Sequence, residues 1–253
     1  MKIYNNILKA IEEKGAAYFI LIDPDKISEN NLSRFLSLAE EAGVDGFLLG
    51  GSLLLSGDLK SVIKRIKEES QIPIIIFPGS VSQVLPEADA LLYISLISGR
   101  NADHIIGNHV LAAPMIKKSG IEPISTGYIL VESGKVTTAE YMSGSKPIPR
   151  NKPEIAVATA LAAEFMGMKM VYLEGGSGAE LTVPNEMVKY VSSQCSIPVI
   201  VGGGIRDPKT ANEKVLSGAK VVVTGNYFEK EENWSLIKEF ADAIHYKLQI
   251  KVW

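Results

Sequence analysis

The sequence predicts an α/β fold, a (β/α)8 TIM barrel formed by residues 1–253 as a single domain. Short apolar runs alternate with amphipathic, helix-like segments along the whole chain. The runs are continuously apolar, which is typical of strands buried on both faces of a parallel sheet. Eight such units in 253 residues match the usual size of this barrel. The same alternation is compatible with a doubly wound sheet, which is the alternative fold.

The predicted strands are apolar runs that end in glycine or polar residues. They cover residues 18–23, 46–51, 73–79, 90–96, 122–131, 170–175, 198–203 and 221–226. Helices are predicted for residues 31–42, 104–119, 153–166, 209–216 and 234–246. A glycine follows several of the helices, because glycine adopts the positive φ of a helix end without a steric penalty.

Two segments depart from the repeat. Residues 80–89 (SVSQVLPEAD), between strands three and four, are too short and too proline-bounded for a full crossover helix. Residues 132–151 form a long polar loop after strand five. Loops of that length in a compact domain are usually functional or disordered. In a barrel this loop would lie over the carboxyl ends of the strands, where active sites are found.

Composition and spacing exclude several classes of protein. A formal charge of −3 argues against nucleic-acid binding, and Cys195 is the only cysteine, so no disulfide framework is possible. His104, His109 and His245 lack a metal-binding spacing and are expected in packing or surface roles. The polar amino terminus and the lack of a long apolar run predict a cytoplasmic protein without a membrane anchor.

The glycines after strands seven and eight give the first indication of function. Strand seven runs into VGGGIR and strand eight into TGN. In TIM barrels the loops after these two strands commonly bind phosphate, because bare glycines let phosphate oxygens reach backbone N–H groups. The helix predicted to begin near Asp207 would add a partial positive charge. The sequence therefore predicts a phosphate site, with tight packing of the glycines as the structural alternative.

Polar residues at three other strand ends would flank this site. Tyr172 and Glu174 precede a Gly-rich turn (YLEGGSG) and lie two residues apart, so they project on one face of strand six. They suit a polyol ligand, although a core tyrosine and a solvated glutamate are the plainer interpretation. Asp23 ends strand one and Ser52 follows strand two, where the pair can hold Mg²⁺ that arrives with a diphosphate. Asp25 and Lys26 are expected to form a turn or a helix cap.

Together these segments resemble the geranylgeranylglyceryl phosphate synthase family over essentially the whole chain. The motifs that carry the resemblance are LIDPDK, GGS, YLEGGSG, VGGGIR and TGN, in this order. The resemblance implies a prenyltransferase that joins the C3 hydroxyl of sn-glycerol 1-phosphate to geranylgeranyl diphosphate and releases diphosphate. That reaction forms the first ether bond of archaeal-type membrane lipids. It also implies a modified barrel, in which an extended segment replaces the third helix and opens a groove for the prenyl tail.

The resemblance assigns residues by position. Asp23 and Ser52 match the Mg²⁺ ligands. As a hypothesis of mechanism, Glu174 orients the glycerol hydroxyl and either accepts its proton or stabilises the allylic carbocation. The glycerol phosphate site is matched by Tyr172, Leu173, Glu174, Gly175, Gly176, Ser177, Gly178, Gly203, Gly204, Gly225 and Asn226. Residues 91–100 and the region of Ile105 and Ile106 are candidates to line the prenyl groove. A homo-oligomer, dimer or hexamer, is also implied.

Three alternatives to this function remain at the level of sequence. The first is the same reaction with another prenyl chain length. The second is a phosphate-binding isomerase or synthase on the same fold, although such chemistry usually needs an acid–base pair on facing strands. The third is a non-catalytic phosphate-ligand sensor, for which loss of Asp23 would be tolerable.

Overall fold

Eight parallel strands form a closed barrel in the computed structural model, which describes residues 1–27, 31–51, 54 and 58–247. Each strand pairs with the next along the chain, and β8 pairs with β1. The strands are β1 (Ala17–Ile22), β2 (Gly46–Leu49), β3 (Ile74–Ile76), β4 (Ala90–Leu96), β5 (Glu122–Leu130), β6 (Met170–Glu174), β7 (Val199–Gly202) and β8 (Val221–Thr224). The predicted TIM barrel is confirmed, and the doubly wound alternative is wrong.

Helices surround this barrel, and the five whose positions were predicted lie close to those positions. Within the described ranges they are α1 (Lys2–Lys14), α2 (Leu32–Ala42), α3 (Leu59–Glu69), α4 (Asn108–Ser119), α5 (Thr138–Ser143), α6 (Pro153–Phe165), α7 (Asn185–Gln194), α8 (Pro208–Leu216) and α9 (Ile237–Ile244). A π-helical turn, Asp103–Gly107, precedes α4, and a 3₁₀ helix, Glu231–Leu236, precedes α9. No helix in the part of the chain that the structure describes is both long and apolar enough to cross a membrane.

The apolar core has two layers, because successive strand residues point to opposite faces. In β6, Tyr172 points into the barrel, whereas Leu173 packs between the barrel and the helices. Helix α1 closes the amino-terminal end of the barrel, where Ile3 and Ile7 join the interior cluster. The Glu122 carboxylate accepts two backbone N–H groups from the first turn of α1, each at 2.9 Å. The open end is therefore the carboxyl end of the strands.

Both predicted departures from the repeat are present. Residues 77–89, all of them described, contain a single 3₁₀ turn, Val81–Gln83, and no α-helix. Residues 132–151 contain the short helix α5, and Ile148 pairs with Val131 just beyond β5. Because Ala139 of α5 lines the cavity at the carboxyl end of the barrel, this loop lies over the mouth as expected.

Candidate active site

A cavity of about 300 Å³ lies at the carboxyl ends of the strands. Most of the predicted site residues line it: Asp23, Tyr172, Glu174, Gly176, Ser177, Gly178, Gly203, Gly204, Gly225 and Asn226. Leu173 does not, because its fully buried side chain faces the helices. Gly175 continues the β6–β7 ladder by donating its N–H to the Gly202 carbonyl at 3.0 Å. Ser52 lies outside the described residues, so its predicted role stays a prediction.

The glycine triplet after β7 makes room for the two polar side chains of β6. A methyl group on Gly202 would lie 2.4 Å from the Tyr172 hydroxyl oxygen. On Gly203 it would lie 2.5 Å from Oε1 of Glu174, and Gly203 has a positive φ of 87° that side-chain-bearing residues rarely adopt. These glycines were predicted to bind phosphate, with tight packing as the alternative. The structure gives them an additional task, which is to let Tyr172 and Glu174 lie against bare backbone.

Glu174 is a buried carboxylate at the base of the cavity, with 6% of its surface exposed. Its Oε1 accepts the N–H of Gly176 at 2.6 Å. Burial raises the pKa of the Glu174 carboxyl above its ordinary value, and hydrogen bonds from Gly176 and the Tyr172 hydroxyl only partly oppose this. The carboxylate is therefore fixed in orientation and is more basic than a solvated glutamate.

An aromatic cluster of Phe77, Tyr128 and Tyr172 lies beside this carboxylate. The ring of Phe77 stacks on Tyr172 with centroids 5.6 Å apart, and Tyr128 meets Tyr172 edge-on at 5.4 Å. Phe77 follows β3 and Tyr128 belongs to β5. Phe77 and Tyr128 were not among the predicted site residues. The available signal was an aromatic residue near the carboxyl end of a predicted strand, in IIIFPG and in TGYILV.

An apolar groove of about 150 Å³ begins on the other side of this cluster. Phe77, Tyr128 and Ala139 line both the groove and the polar cavity, so the two spaces adjoin. The groove lies beside the connection between β3 and β4, which contains no α-helix. Its walls include Val81, Val84, Leu91, Leu92, Tyr93, Ile94, Leu96, His104, His109 and Ala112. Of the predicted segment 91–100, Leu91, Leu92, Tyr93, Ile94 and Leu96 line the groove, whereas residue 95 and residues 97–100 do not.

Two details of the groove differ from the sequence expectation. Ile105 and Ile106 are not among its lining residues, and Ile106 is 57% exposed. His104 and His109 do line it, although the histidines were expected only in packing or surface roles. The His109 ring packs edge-on against Tyr93 with centroids 4.5 Å apart. Burial lowers the pKa of His109, which suits a neutral imidazole in an apolar wall.

Asp23 lies at the end of β1 beside a cation. Its Oδ2 is 3.3 Å from Nζ of Lys26, and Lys26 also pairs with Glu229 at 3.0 Å. Lys26 lies in the predicted turn, and this double ion pair was not foreseen. Gly51, the last described residue before Ser52, adjoins Asp23, since a methyl group on it would lie 3.6 Å from Oδ2. No cluster of three or more histidine, cysteine or acidic side chains suited to a metal occurs among the described residues.

The turn after β6 meets the turn after β8 through Asn226. Its Oδ1 accepts the N–H of Gly178 at 2.8 Å and the hydroxyl of Ser177 at 3.0 Å. These are donors of the kind that a phosphate oxygen needs. Helix α8 begins at Pro208 as predicted, but Asp207 caps it by accepting the N–H of Thr210 at 2.7 Å, and no residue of α8 lines the cavity. The expected contribution of that helix terminus is therefore not supported.

Comparison with known proteins gives the family. The model of the PcrB family matches residues 8–244. The chain belongs to the PcrB family. Relatives named geranylgeranylglyceryl phosphate synthase include one from Chitinophaga pinensis, 47% identical over 96% of each chain, and one from Thermococcus sibiricus, 47% identical over 93% of this chain and 91% of the relative. The family resemblance read from the sequence is thus confirmed.

Solved structures agree with this assignment. The crystal structure of (S)-3-O-geranylgeranylglyceryl phosphate synthase from Thermoplasma acidophilum, in complex with its substrate sn-glycerol-1-phosphate, aligns with a TM-score of 0.88. It is 31% identical and covers 95% of this chain and 98% of its own. The enzyme from Thermoplasma volcanium aligns with a TM-score of 0.87 at 34% identity, covering 95% and 97% of the two chains. This PcrB-family barrel therefore belongs among the geranylgeranylglyceryl phosphate synthases.

Proposed function

We propose that this PcrB-family enzyme joins the C3 hydroxyl of sn-glycerol 1-phosphate to geranylgeranyl diphosphate, with release of diphosphate. The observation that carries the proposal is that a polar cavity, which contains a buried carboxylate, adjoins an apolar groove and shares lining residues with it. The polar cavity fits a small phosphorylated polyol, and the groove fits a long hydrocarbon chain. The reactive end of that chain would then lie next to the polyol. The glycerol phosphate bound by the Thermoplasma acidophilum neighbour and the names of the relatives support both substrates.

The glycerol phosphate would lie between the turns that follow β6, β7 and β8. The N–H of Gly178 and the hydroxyl of Ser177 are the donors for its phosphate, once the amide oxygen of Asn226 moves away. Glu174 lies deeper in the cavity, where it would accept a hydrogen bond from the C3 hydroxyl. Its raised pKa makes it a better proton acceptor than a solvated carboxylate when that hydroxyl attacks the allylic carbon.

The aromatic cluster lies where the two substrates would meet. Departure of diphosphate leaves positive charge on the allylic carbon, and the faces of aromatic rings stabilise a nearby cation. Phe77 and Tyr128 border both spaces, so their rings would face this carbon. They would also shield it from water, because premature hydrolysis of the cation competes with attack by the glycerol hydroxyl.

The donor set at the mouth fits Mg²⁺. Mg²⁺ is commonly held by one or two protein oxygens, with water and substrate phosphates completing the octahedron. Asp23 offers a carboxylate at the edge of the cavity, 20% of its side chain being exposed. Asp23 would hold the ion, together with Ser52 as the resemblance implies, and the bound metal would neutralise charge on the departing diphosphate.

The groove would supply much of the affinity for the prenyl chain. Each buried methylene contributes about 0.8 kcal/mol. Val84, Leu91 and Ala112 present apolar surface along the groove, which suits a tail without polar atoms. The depth of the groove would set which chain length fits.

We further propose a homo-oligomer that works in the cytoplasm. Helix α6 and the residue that follows it expose apolar side chains, with Ile155 at 44%, Phe165 at 82% and Met166 at 69% exposure. Surfaces of this kind often form contacts between subunits. Sedimentation measurements that give the mass of a single chain would contradict the oligomer.

Replacement of Asp23 by asparagine tests the transferase against the sensor. We expect D23N to bind sn-glycerol 1-phosphate within about threefold of the wild type. Asp23 lies outside the phosphate cradle, by which we mean Ser177, Gly178 and Asn226 in the turns after β6 and β8. We expect it to lose at least 100-fold in Mg²⁺-dependent diphosphate release, in the range seen when one catalytic group is removed. Asp242→Asn, which removes another ion-paired aspartate on α9, is the control. Normal turnover by D23N would exclude Asp23 as the Mg²⁺ ligand.

A further inference from the structure

A chain of polar contacts connects the phosphate cradle with Asp23, the proposed Mg²⁺ ligand. It starts at Ser177 and Gly178, whose donors are accepted by Oδ1 of Asn226. The Nδ2 of Asn226 donates to Oε1 of Glu229 at 2.6 Å. The same Oε1 accepts Nζ of Lys26 at 3.0 Å, and Lys26 lies 3.3 Å from Asp23. One carboxylate oxygen of Glu229 is therefore shared between the two halves of the site.

We propose that Lys26 masks Asp23 until sn-glycerol 1-phosphate is bound, and that Glu229 is the positioning residue that links the two events. This inference rests on the proposed function. It goes beyond it by assigning roles to Lys26 and Glu229, both of which line the cavity.

The first step of the link concerns Asn226. Its Oδ1 accepts the hydrogen bonds of Ser177 and Gly178. A phosphate that uses these donors must displace the amide oxygen. The amide then turns its Nδ2 toward the anion, since a donor is favoured there, and its hydrogen bond to Glu229 is lost.

The second step follows from charge. Glu229, having lost one donor, is left with Lys26 as its remaining described partner, so the ion pair between them strengthens. Lys26 then moves away from Asp23, and the Asp23 carboxylate becomes available to a metal ion. Because Lys26 and Mg²⁺ compete for the same oxygen, binding of glycerol phosphate raises the affinity for Mg²⁺–diphosphate. By thermodynamic reciprocity, Mg²⁺–diphosphate must raise the affinity for glycerol phosphate by the same factor.

Calorimetry with inorganic diphosphate tests this without turnover. Mg²⁺–diphosphate is titrated into the wild-type enzyme with and without saturating sn-glycerol 1-phosphate, at constant ionic strength. We expect the dissociation constant to fall at least fivefold when glycerol phosphate is present, the lower end of typical coupling between sites. In Glu229→Gln the two dissociation constants should agree within twofold, because a neutral amide does not draw Lys26 away from Asp23.

Two further variants make the test specific. Glu69→Gln on α3 is the matched control, since Glu69 is ion-paired to Arg65 and its side chain is 31% exposed, against 29% for Glu229. It should retain the wild-type coupling. Lys26→Met removes the mask, so it should bind Mg²⁺–diphosphate more tightly than the wild type when glycerol phosphate is absent.

The outcomes separate this inference from the function on which it rests. Binding of both ligands by the wild type without coupling, or full coupling in Glu229→Gln, would overturn the link. Weaker diphosphate binding in Lys26→Met would identify Lys26 as a direct diphosphate ligand and overturn the masking. Failure of the wild type to bind either ligand would instead refute the proposed function, and the inference with it.

Discussion

A methyl group at Gly203 should disable the site by displacing Glu174. In Gly203→Ala the new Cβ would lie 2.5 Å from Oε1 of Glu174 and 2.7 Å from the backbone nitrogen of Gly176. These are the two atoms that form the hydrogen bond which holds the carboxylate. Since real Cβ contacts are longer, either the carboxylate or the turn must move.

The size of the effect follows from strain and crowding. Gly203 has φ of 87°, and an L-residue in the left-handed region costs about 1–2 kcal/mol. Overpacking a filled site adds about 1–3 kcal/mol. Gly167 has φ of 81° with no atom within 4 Å of the added methyl, so Gly167→Ala carries the strain without the clash. At about 2–4 °C per kcal/mol, Tm should fall by ~4–20 °C in Gly203→Ala and ~2–8 °C in the control.

Steady-state kinetics and thermal unfolding of both variants provide the assay. We expect kcat to fall by about 100-fold or more in Gly203→Ala, because a displaced base loses the usual contribution of general base catalysis. The Gly167→Ala variant should keep the wild-type kcat below its Tm. Gly203→Ala with near-normal kcat, or with the same loss of Tm as the control, would refute the contact between Gly203 and Glu174.

Three further predictions concern the carboxylate, the aromatic cluster and the groove. Glu174→Gln should lower kcat at least ~100-fold while the dissociation constant for glycerol phosphate, measured by calorimetry, changes less than about threefold. Because burial raises the pKa of Glu174, the ionised carboxylate destabilises the folded state as pH rises through that raised pKa. The Tm of Glu174→Gln should therefore exceed that of the wild type at pH 8 and match it below pH 4, and equal values at both pH values would contradict the burial of charge. Tyr128→Leu should increase hydrolysis of geranylgeranyl diphosphate relative to coupling, measured as free alcohol against ether product, and an unchanged ratio would remove Tyr128 from the reaction centre. Ala112→Phe should narrow the apolar groove and lower kcat/KM for geranylgeranyl diphosphate at least tenfold, with a smaller loss for a ten-carbon diphosphate; equal losses would place the prenyl chain elsewhere.

The barrel was predictable because its signals are local. Each strand appears as a continuous apolar run, and helix ends carry glycine, as at Gly43 and Gly167, both of which have positive φ. The absence of a helix between β3 and β4 was predictable for the same reason, since the ten residues 80–89 include a proline and leave no room for a helix. Motifs at the strand ends also gave most of the cavity lining.

Contacts between distant segments were not predictable. Strands buried on both faces read as apolar throughout, so the sequence does not say which aromatic residue faces the cavity. This is why Phe77 and Tyr128 were missed. The pair formed by Lys26 and Glu229 spans 203 residues and depends on the closure of β8 against β1, which a linear pattern does not encode. Likewise, Gly202 and Gly203 leave room for Tyr172 and Glu174 only because β6 and β7 lie side by side.

Product formation with the two enantiomers of glycerol phosphate tests the central claim most directly. Purified enzyme is incubated with geranylgeranyl diphosphate, Mg²⁺ and either sn-glycerol 1-phosphate or sn-glycerol 3-phosphate, and released diphosphate and ether product are quantified. We expect both products with the 1-phosphate, at a rate at least tenfold above that with the 3-phosphate. Tight binding of glycerol phosphate with no diphosphate release from either enantiomer would contradict the transferase and leave a phosphate-binding barrel of another function.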